Sequence, residues 1–350
     1  MYRYIGNKTK LLPEVINISK EVIGDGNVVA DLMAGTGLVS LEYRKNDFKV
    51  IASDIMTYSY HHLVCNLLLN KEPLFKGLSN DVIFTQNFSN YEDVLNYLNS
   101  LPGSKSFFYK EFSPSGTPTA IESNPRKYFT PENASKIDSI REKINQWIQD
   151  NKISEIEASL LKHTLILSVN RIANISGTYG YFLSKFKKNS LQPFELRPVE
   201  IEPHPNTKHT VLQGYAEEIS KSTSADLVYL DPPYMKRQYA ANYHILETLA
   251  RGDYPDAIGK SGLRDWWDQH SSFCTKTKGL ESFEEVIGNT NSNNFIISYS
   301  EDGLFTLDQL VNNFKKFGKV SVRETKHTRF KSNKSKLSNV LNEYAIIIQR

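Results

Sequence analysis

The chain has 350 residues, of which 39% are hydrophobic, 11% aromatic and 23% charged, with a formal net charge of +3. That length suits a large α/β domain carrying an insertion, or two domains, with room for a substantial core. No apolar run nears the ~20 residues of a membrane span, the amino-terminal stretch lacks a signal-peptide core, and Cys65 and Cys274 stand far apart without ligand-like neighbours, so neither a disulfide framework nor a metal site is expected, and a reducing, cytoplasmic setting is.

Apolar residues at helical spacing (Leu11, Leu12, Val15, Ile16, Ile18, Val22, Ile23) predict a helix over 10–23, with Pro13 in its first turn. A strand over 28–32 then runs into Met33-Ala34-Gly35-Thr36-Gly37, followed by a helix over 38–46 and a second strand over 49–53 ending at Asp54. Strand, glycine turn, helix, strand and acid make the first half of a nucleotide-binding α/β unit, in which glycines admit the ligand to the backbone and the acid accepts ribose hydroxyls. The order is Asp-x-x-x-Gly-x-Gly, not a dinucleotide fingerprint. An acid at Asp31 repels pyrophosphate and suits a cofactor with positive charge. S-adenosylmethionine carries a sulfonium and an ammonium and no phosphate.

A helix is expected over 57–75, after which the strand–helix rhythm breaks from about 87 to 205. Residues 102–131 are rich in Pro, Ser, Gly and aromatics. Two helices follow, from 131 or 132 to 150 and from 154 to about 173, the second opened by a Ser154/Glu157 capping box. The next stretch, 170–183, interleaves polar residues, glycine and aromatics, and Lys185, Lys187 and Lys188 follow it. That pattern fits a loop touching nucleic acid, and equally an ordinary insertion hairpin with a solvated basic face. Sheet rhythm returns with a strand over 210–214, a short helix, and the apolar strand Leu227-Val228-Tyr229-Leu230-Asp231, which Pro232 and Pro233 end stiffly before Tyr234. Ligands of open α/β sheets bind at such strand ends. A helix is expected near 242–247, irregular chain over 252–281, a strand over 294–300, a helix over 306–317, and a closing antiparallel pair, 320–323 with 343–348, around a basic segment, 326–339.

With the glycine turn first, Asp231-Pro232-Pro233-Tyr234 second and a long insertion between, the chain resembles the DNA adenine-N6 methyltransferases. Within them it is similar to the alpha group, which includes the Dam-type methylases and many restriction–modification methylases. The resemblance implies a Rossmann-like, S-adenosylmethionine-dependent methyltransferase sheet with helices on both faces, plus an inserted, mainly helical and irregular target-recognition domain. The expected division is 1–88 (cofactor binding), 89–205 (target recognition) and 206–350 (catalytic motif and closing hairpin). It implies a pocket for S-adenosyl-L-methionine from Tyr4, Gly6, Lys8, Asp31, Met33, Ala34, Gly35, Thr36, Gly37, Asp54, Ile55, Gln213, Tyr215 and Asp231. Tyr215 stands where the family usually has an acid. Catalysis falls to Asp231, Pro232, Pro233 and Tyr234, without a metal. Arg126, Arg171, Asn174, Tyr179, Lys185, Lys187, Lys188, Arg237, Tyr239, Arg329 and Lys331 are the expected contacts to double-stranded DNA. A restriction endonuclease acting separately is the implied partner, and no membrane is. Methylation of cytosine N4 or RNA adenine, and a DNA-binding relic without activity, stay open as alternatives.

Overall fold

The computed structural model describes residues 8–78, 90–119, 124–204, 208–328 and 340–350. The chain divides into two compact units. A helical unit comprises Leu69–Pro203 with Ala240–Asp268, and a sheet unit comprises Gly6–Leu68, His204–Tyr239 and Gln269–Arg350.

The sheet unit is built on seven strands among the described residues: β1 (Val28–Asp31), β2 (Lys49–Asp54), β3 (Thr210–Gln213), β4 (Leu227–Leu230), β5 (Asn294–Ser300), β6 (Lys319–Thr328) and β7 (Val340–Gln349). Their spatial order is β3-β2-β1-β4-β5-β7-β6. The first five run parallel, and β7 is reversed against both β5 and β6. Chain order reverses between β1 and β4, so the crevice at their carboxyl ends is the topological switch point.

Side-chain alternation explains why both faces are covered. Ala30, Val228, Leu230, Phe295 and Ile297 point into one core with Phe283, Val286, Ile287, Leu310 and Phe314 from the helices Gly279–Asn289 and Leu307–Phe314. Val29, Val50, Ala52, Leu227, Tyr229 and Ile296 point into the opposite core with Val15, Ile16, Ile18 and Ile23 from the helix Leu12–Ile23. Each buried valine, leucine, isoleucine or phenylalanine among them contributes about 1.5–3 kcal/mol by leaving water. Asp226 fixes the register at the strand starts by accepting the backbone N–H groups of Asn27 and Val28 at 2.9 Å each.

The helix expected over 57–75 is shorter. It runs as Thr57–Leu63 and widens into a π turn, Val64–Leu68. The wide turn brings the Asn66 amide to the carbonyls of Thr36 and Gly37, 3.3 and 3.4 Å away, and a π turn inside a helix is a common mark of a functional site.

The helical unit centres on the helices Pro131–Gln149 and Glu155–Ile172, close to the expected bounds, and the Ser154/Glu157 capping box is present. The unit extends past the range 89–205 read from sequence rhythm. It takes in Ala240–Asp268, whose helix His244–Arg251 is buried on nearly every side chain.

Candidate active site

Four parallel strands end side by side in the sheet unit, and each ends in or next to a polar group. Asp31 closes β1, Asp54 closes β2, Gln213 closes β3 opposite Asp54, and Asp231 follows β4. Alternating apolar strands set these positions, and the turns that leave the sheet hold them.

The Asp54 carboxylate accepts the N–H of Gly35 and of Met56, both at 2.8 Å, which ties the glycine turn to the end of β2. Gly35 and Gly37 have φ of +56° and +74°. At Gly37 an added Cβ would lie 2.8 Å from the Asn66 amide and 3.0 Å from Leu63, so glycine is required there by both conformation and space. Asp31 is buried, with Ser40 Oγ donating to one oxygen at 2.6 Å. Its other oxygen is buried without a well-formed hydrogen bond among the described residues. Burial pushes its carboxyl up to about 7; the Ser40 bond opposes the shift, and the charges of Asp231 and Asp54 add to it. A buried acid with an unsatisfied oxygen, beside a backbone turn open to close approach, fits a cationic ligand such as a sulfonium compound. The Gln213 side chain donates to Thr57 Oγ1 at 2.9 Å and reaches the Ile55 carbonyl at 3.4 Å. Tyr215, by contrast, is 36% exposed.

At the end of β4, Pro232 is buried while Asp231, Pro233 and Tyr234 are half-buried. The Tyr234 carbonyl accepts the Leu304 N–H at 2.9 Å, and its ring meets Tyr299 edge-on at 5.8 Å. Lys8 joins this group. Its ammonium lies 3.2 Å from Asp231 Oδ1, 3.3 Å from Glu343 Oε2 and 5.6 Å from the centre of the Tyr234 ring. Burial works against this ammonium, but Asp231 and Glu343 outweigh it and hold its pKa above lysine's ordinary value. Burial lifts the Asp231 carboxyl to about 6, with Lys8 opposing and Glu343 reinforcing the shift. Burial also lifts the Tyr234 phenol, to about 12. Glu343 escaped the sequence reading, because an acid inside an apolar closing strand reads as an ordinary solvent-facing residue.

The residues expected to meet DNA separate into three groups. Arg171, Lys185, Lys187 and Lys188 are exposed in the helical unit and Arg237 is exposed in the sheet unit, while Tyr239 is half-buried. Arg171 and Lys187 line, with Arg197, a cavity of about 550 Å³. Arg126, Asn174 and Tyr179 are fully buried, which corrects the expectation that they face a duplex. Arg126 pairs with Glu111 at 2.8 Å and donates to the carbonyls of Ala257 and Gly259. Asn174 donates to the carbonyls of Lys127 and Leu183, and the Tyr179 hydroxyl donates to Asn170 Oδ1 at 3.0 Å. These side chains knit the helical unit together, and in sequence a buried arginine pair looks the same as an exposed cation. Tyr4, Gly6, Arg329 and Lys331 lie outside the described residues.

Acids at the carboxyl ends of β1 and β2 thus stand on the same sheet edge as Asp-Pro-Pro-Tyr at the end of β4. Residues 4–313 match the family model of the D12 class N6 adenine-specific DNA methyltransferases, and the chain belongs to that family. It is 33% identical to the Type II methyltransferase M.NlaIII of Neisseria lactamica over 340 residues, covering 96% of this chain and 94% of that protein. It is 33% identical to the Type II methyltransferase M.FokI of Planomicrobium okeanokoites and 32% identical to the modification methylase StsI of Streptococcus sanguinis, each match covering 99% of this chain. The chain spans about half the length of these last two relatives, 52% in each case.

Proposed function

We propose that this chain transfers a methyl group from S-adenosyl-L-methionine to N6 of an adenine flipped out of double-stranded DNA. It does so at one short sequence, as the modification partner of a separate restriction endonuclease. Its finer class is the alpha group, a site-specific, adenine-specific DNA methyltransferase of Dam-type order, supported by the glycine turn preceding the catalytic motif with the helical unit's main segment between. The observation that carries this reading is the placement of Asp231-Pro232-Pro233-Tyr234 at the switch-point end of β4, on the sheet edge that also holds Asp31 and Asp54.

S-adenosylmethionine, when bound, supplies an electrophilic methyl group on a sulfonium. Asp31 would offer a carboxylate to its positive charge, Asp54 would keep lone pairs for ribose hydroxyls, and Gly35 and Gly37 would admit it to the backbone. The adenine amine is a poor nucleophile because its lone pair is delocalised into the ring. The Asp231 carboxylate and the Pro232 carbonyl each accept one of its N–H hydrogens, which favours a tetrahedral, more nucleophilic nitrogen. The two prolines hold both acceptors still, so the stabilisation is preorganised. Tyr234 stacks on the base and returns roughly 1–3 kcal/mol of the unstacking cost. Arg171, Lys185, Lys187, Lys188 and Arg237 are the proposed phosphate contacts.

The test is transfer of a labelled methyl group to duplex DNA, followed by digestion to nucleosides. The expected product is N6-methyladenine, with Asp231→Ala inactive while its affinity for S-adenosylmethionine is largely kept. N4-methylcytosine, or label in RNA alone, would move the substrate to another amine. Normal turnover by Asp231→Ala would remove the catalytic assignment.

A further inference from the structure

We propose that Glu343, on the reversed strand β7, is a positioning residue for methyl transfer: it shares the Lys8 ammonium with Asp231, so that the Asp231 carboxylate is not tied up by the cation and keeps an oxygen for the substrate amine. The inference deepens the function proposed above and rests on it. Its basis is geometric. Lys8 is 4% exposed and stands between two carboxylates at nearly equal distance, 3.2 Å to Asp231 and 3.3 Å to Glu343. An ammonium has three hydrogens, and here two of them serve carboxylates while the tyrosine ring lies 5.6 Å away. Glu343 is held in register by β7, where it lies opposite Ser300 of β5 and Thr325 of β6, so the clamp is fixed by the sheet.

The arithmetic of charge gives this arrangement a purpose. Lys8 with Asp231 alone would be a neutral pair, in which the ammonium competes with the amine hydrogens for the carboxylate. Adding Glu343 makes the cluster net −1 and divides the ammonium between two acceptors. In the transfer step the N–CH3 bond forms as the S–CH3 bond breaks, and the sulfur keeps the electron pair. The nitrogen becomes positive and then loses one hydrogen as a proton to the Asp231 carboxylate, which passes it to water. Other groups that bear on Asp231 electrostatically are Asp31 at the end of β1, Tyr229 on β4 and Tyr234, and beyond Tyr234 lies Asp302 after β5.

The test uses two opposed substitutions in the full chain. Glu343→Gln removes a negative neighbour, so the acid limb of the kcat profile should move to lower pH by about 1 unit. With Lys8 then resting wholly on Asp231, kcat should fall on the order of 10-fold to 100-fold while KM for both substrates stays near its original value. Lys8→Met removes the cation, so the acid limb should move to higher pH by about 1–3 units. The same opposed shifts should appear without DNA in the carboxyl carbon-13 titration of aspartate-labelled protein, with the Asp231 resonance identified by its loss in Asp231→Asn. Shifts of equal sign in the two variants, or an unmoved Asp231 titration in Glu343→Gln, would overturn the inference and leave Glu343 a structural acid. Opposed titrations in the two variants, alongside a wild-type protein that transfers no methyl group, would keep the clamp and sink the proposed function instead.

Discussion

Asp31 and Asp231 carry folded-state pKa values lifted by burial, to about 7 and about 6. A carboxyl whose folded pKa lies above its unfolded one adds stability below the unfolded value, and that stability is lost as pH rises through the folded one. The free protein should therefore lose stability between about pH 4 and pH 7 on this account, measurable as a falling Tm. A cationic cofactor favours the ionised Asp31, so affinity for S-adenosylmethionine should tighten between about pH 5 and pH 7, and Asp31→Asn should weaken it and flatten the trend. An affinity indifferent to pH over that range would detach Asp31 from the cofactor. At the other strand end, Tyr234→Ala should lose on the order of 10-fold or more in base flipping, read with a fluorescent adenine analogue, while Tyr234→Phe and Tyr234→Trp keep much of it. Equal loss in all three would argue against stacking.

At the level of elements, most strands and helices were legible because apolar alternation and helical spacing are strong signals. The strand ends at Asp31, Asp54 and Asp231 follow directly from them. What stayed hidden was set by tertiary contact. The π turn at Val64–Leu68 breaks an apolar pattern that reads as unbroken helix, because Asn66 must reach the glycine turn. That turn is tight enough that Gly37→Ala should cost about 1–2 kcal/mol from its left-handed conformation alone, before the contact with Asn66 is counted, as denaturant unfolding would measure. Unchanged stability would mean the turn relaxes freely. The second segment of the helical unit, Ala240–Asp268, was illegible for a different reason: membership of a unit is decided by long-range pairing, such as that of Arg126 with the carbonyls of Ala257 and Gly259. Removing the same guanidinium from its buried ion pair with Glu111, by Arg126→Ala, should destabilise the protein by about 3–5 kcal/mol. Loss of DNA affinity in a fully stable Arg126→Ala protein would restore it as a contact.

Over the whole molecule, a net charge of +3 says little about a polyanion, and the distribution of exposed cations says more. Lys185, Lys187 and Lys188 are exposed in the helical unit, so neutralising Lys187 and Lys188 together should lower DNA affinity and flatten its salt dependence by about two phosphate contacts. An unchanged slope would make that surface merely solvated. Methylation of adenine at one DNA sequence by this sheet edge is open to a direct measurement: sequencing modified bases in genomic DNA from cells expressing the chain and, in parallel, its Asp231→Ala variant. N6-methyladenine is expected at nearly every copy of one short sequence in the first sample and at none in the second. Methylated cytosine, or adenine methylation that survives in the variant, would contradict it.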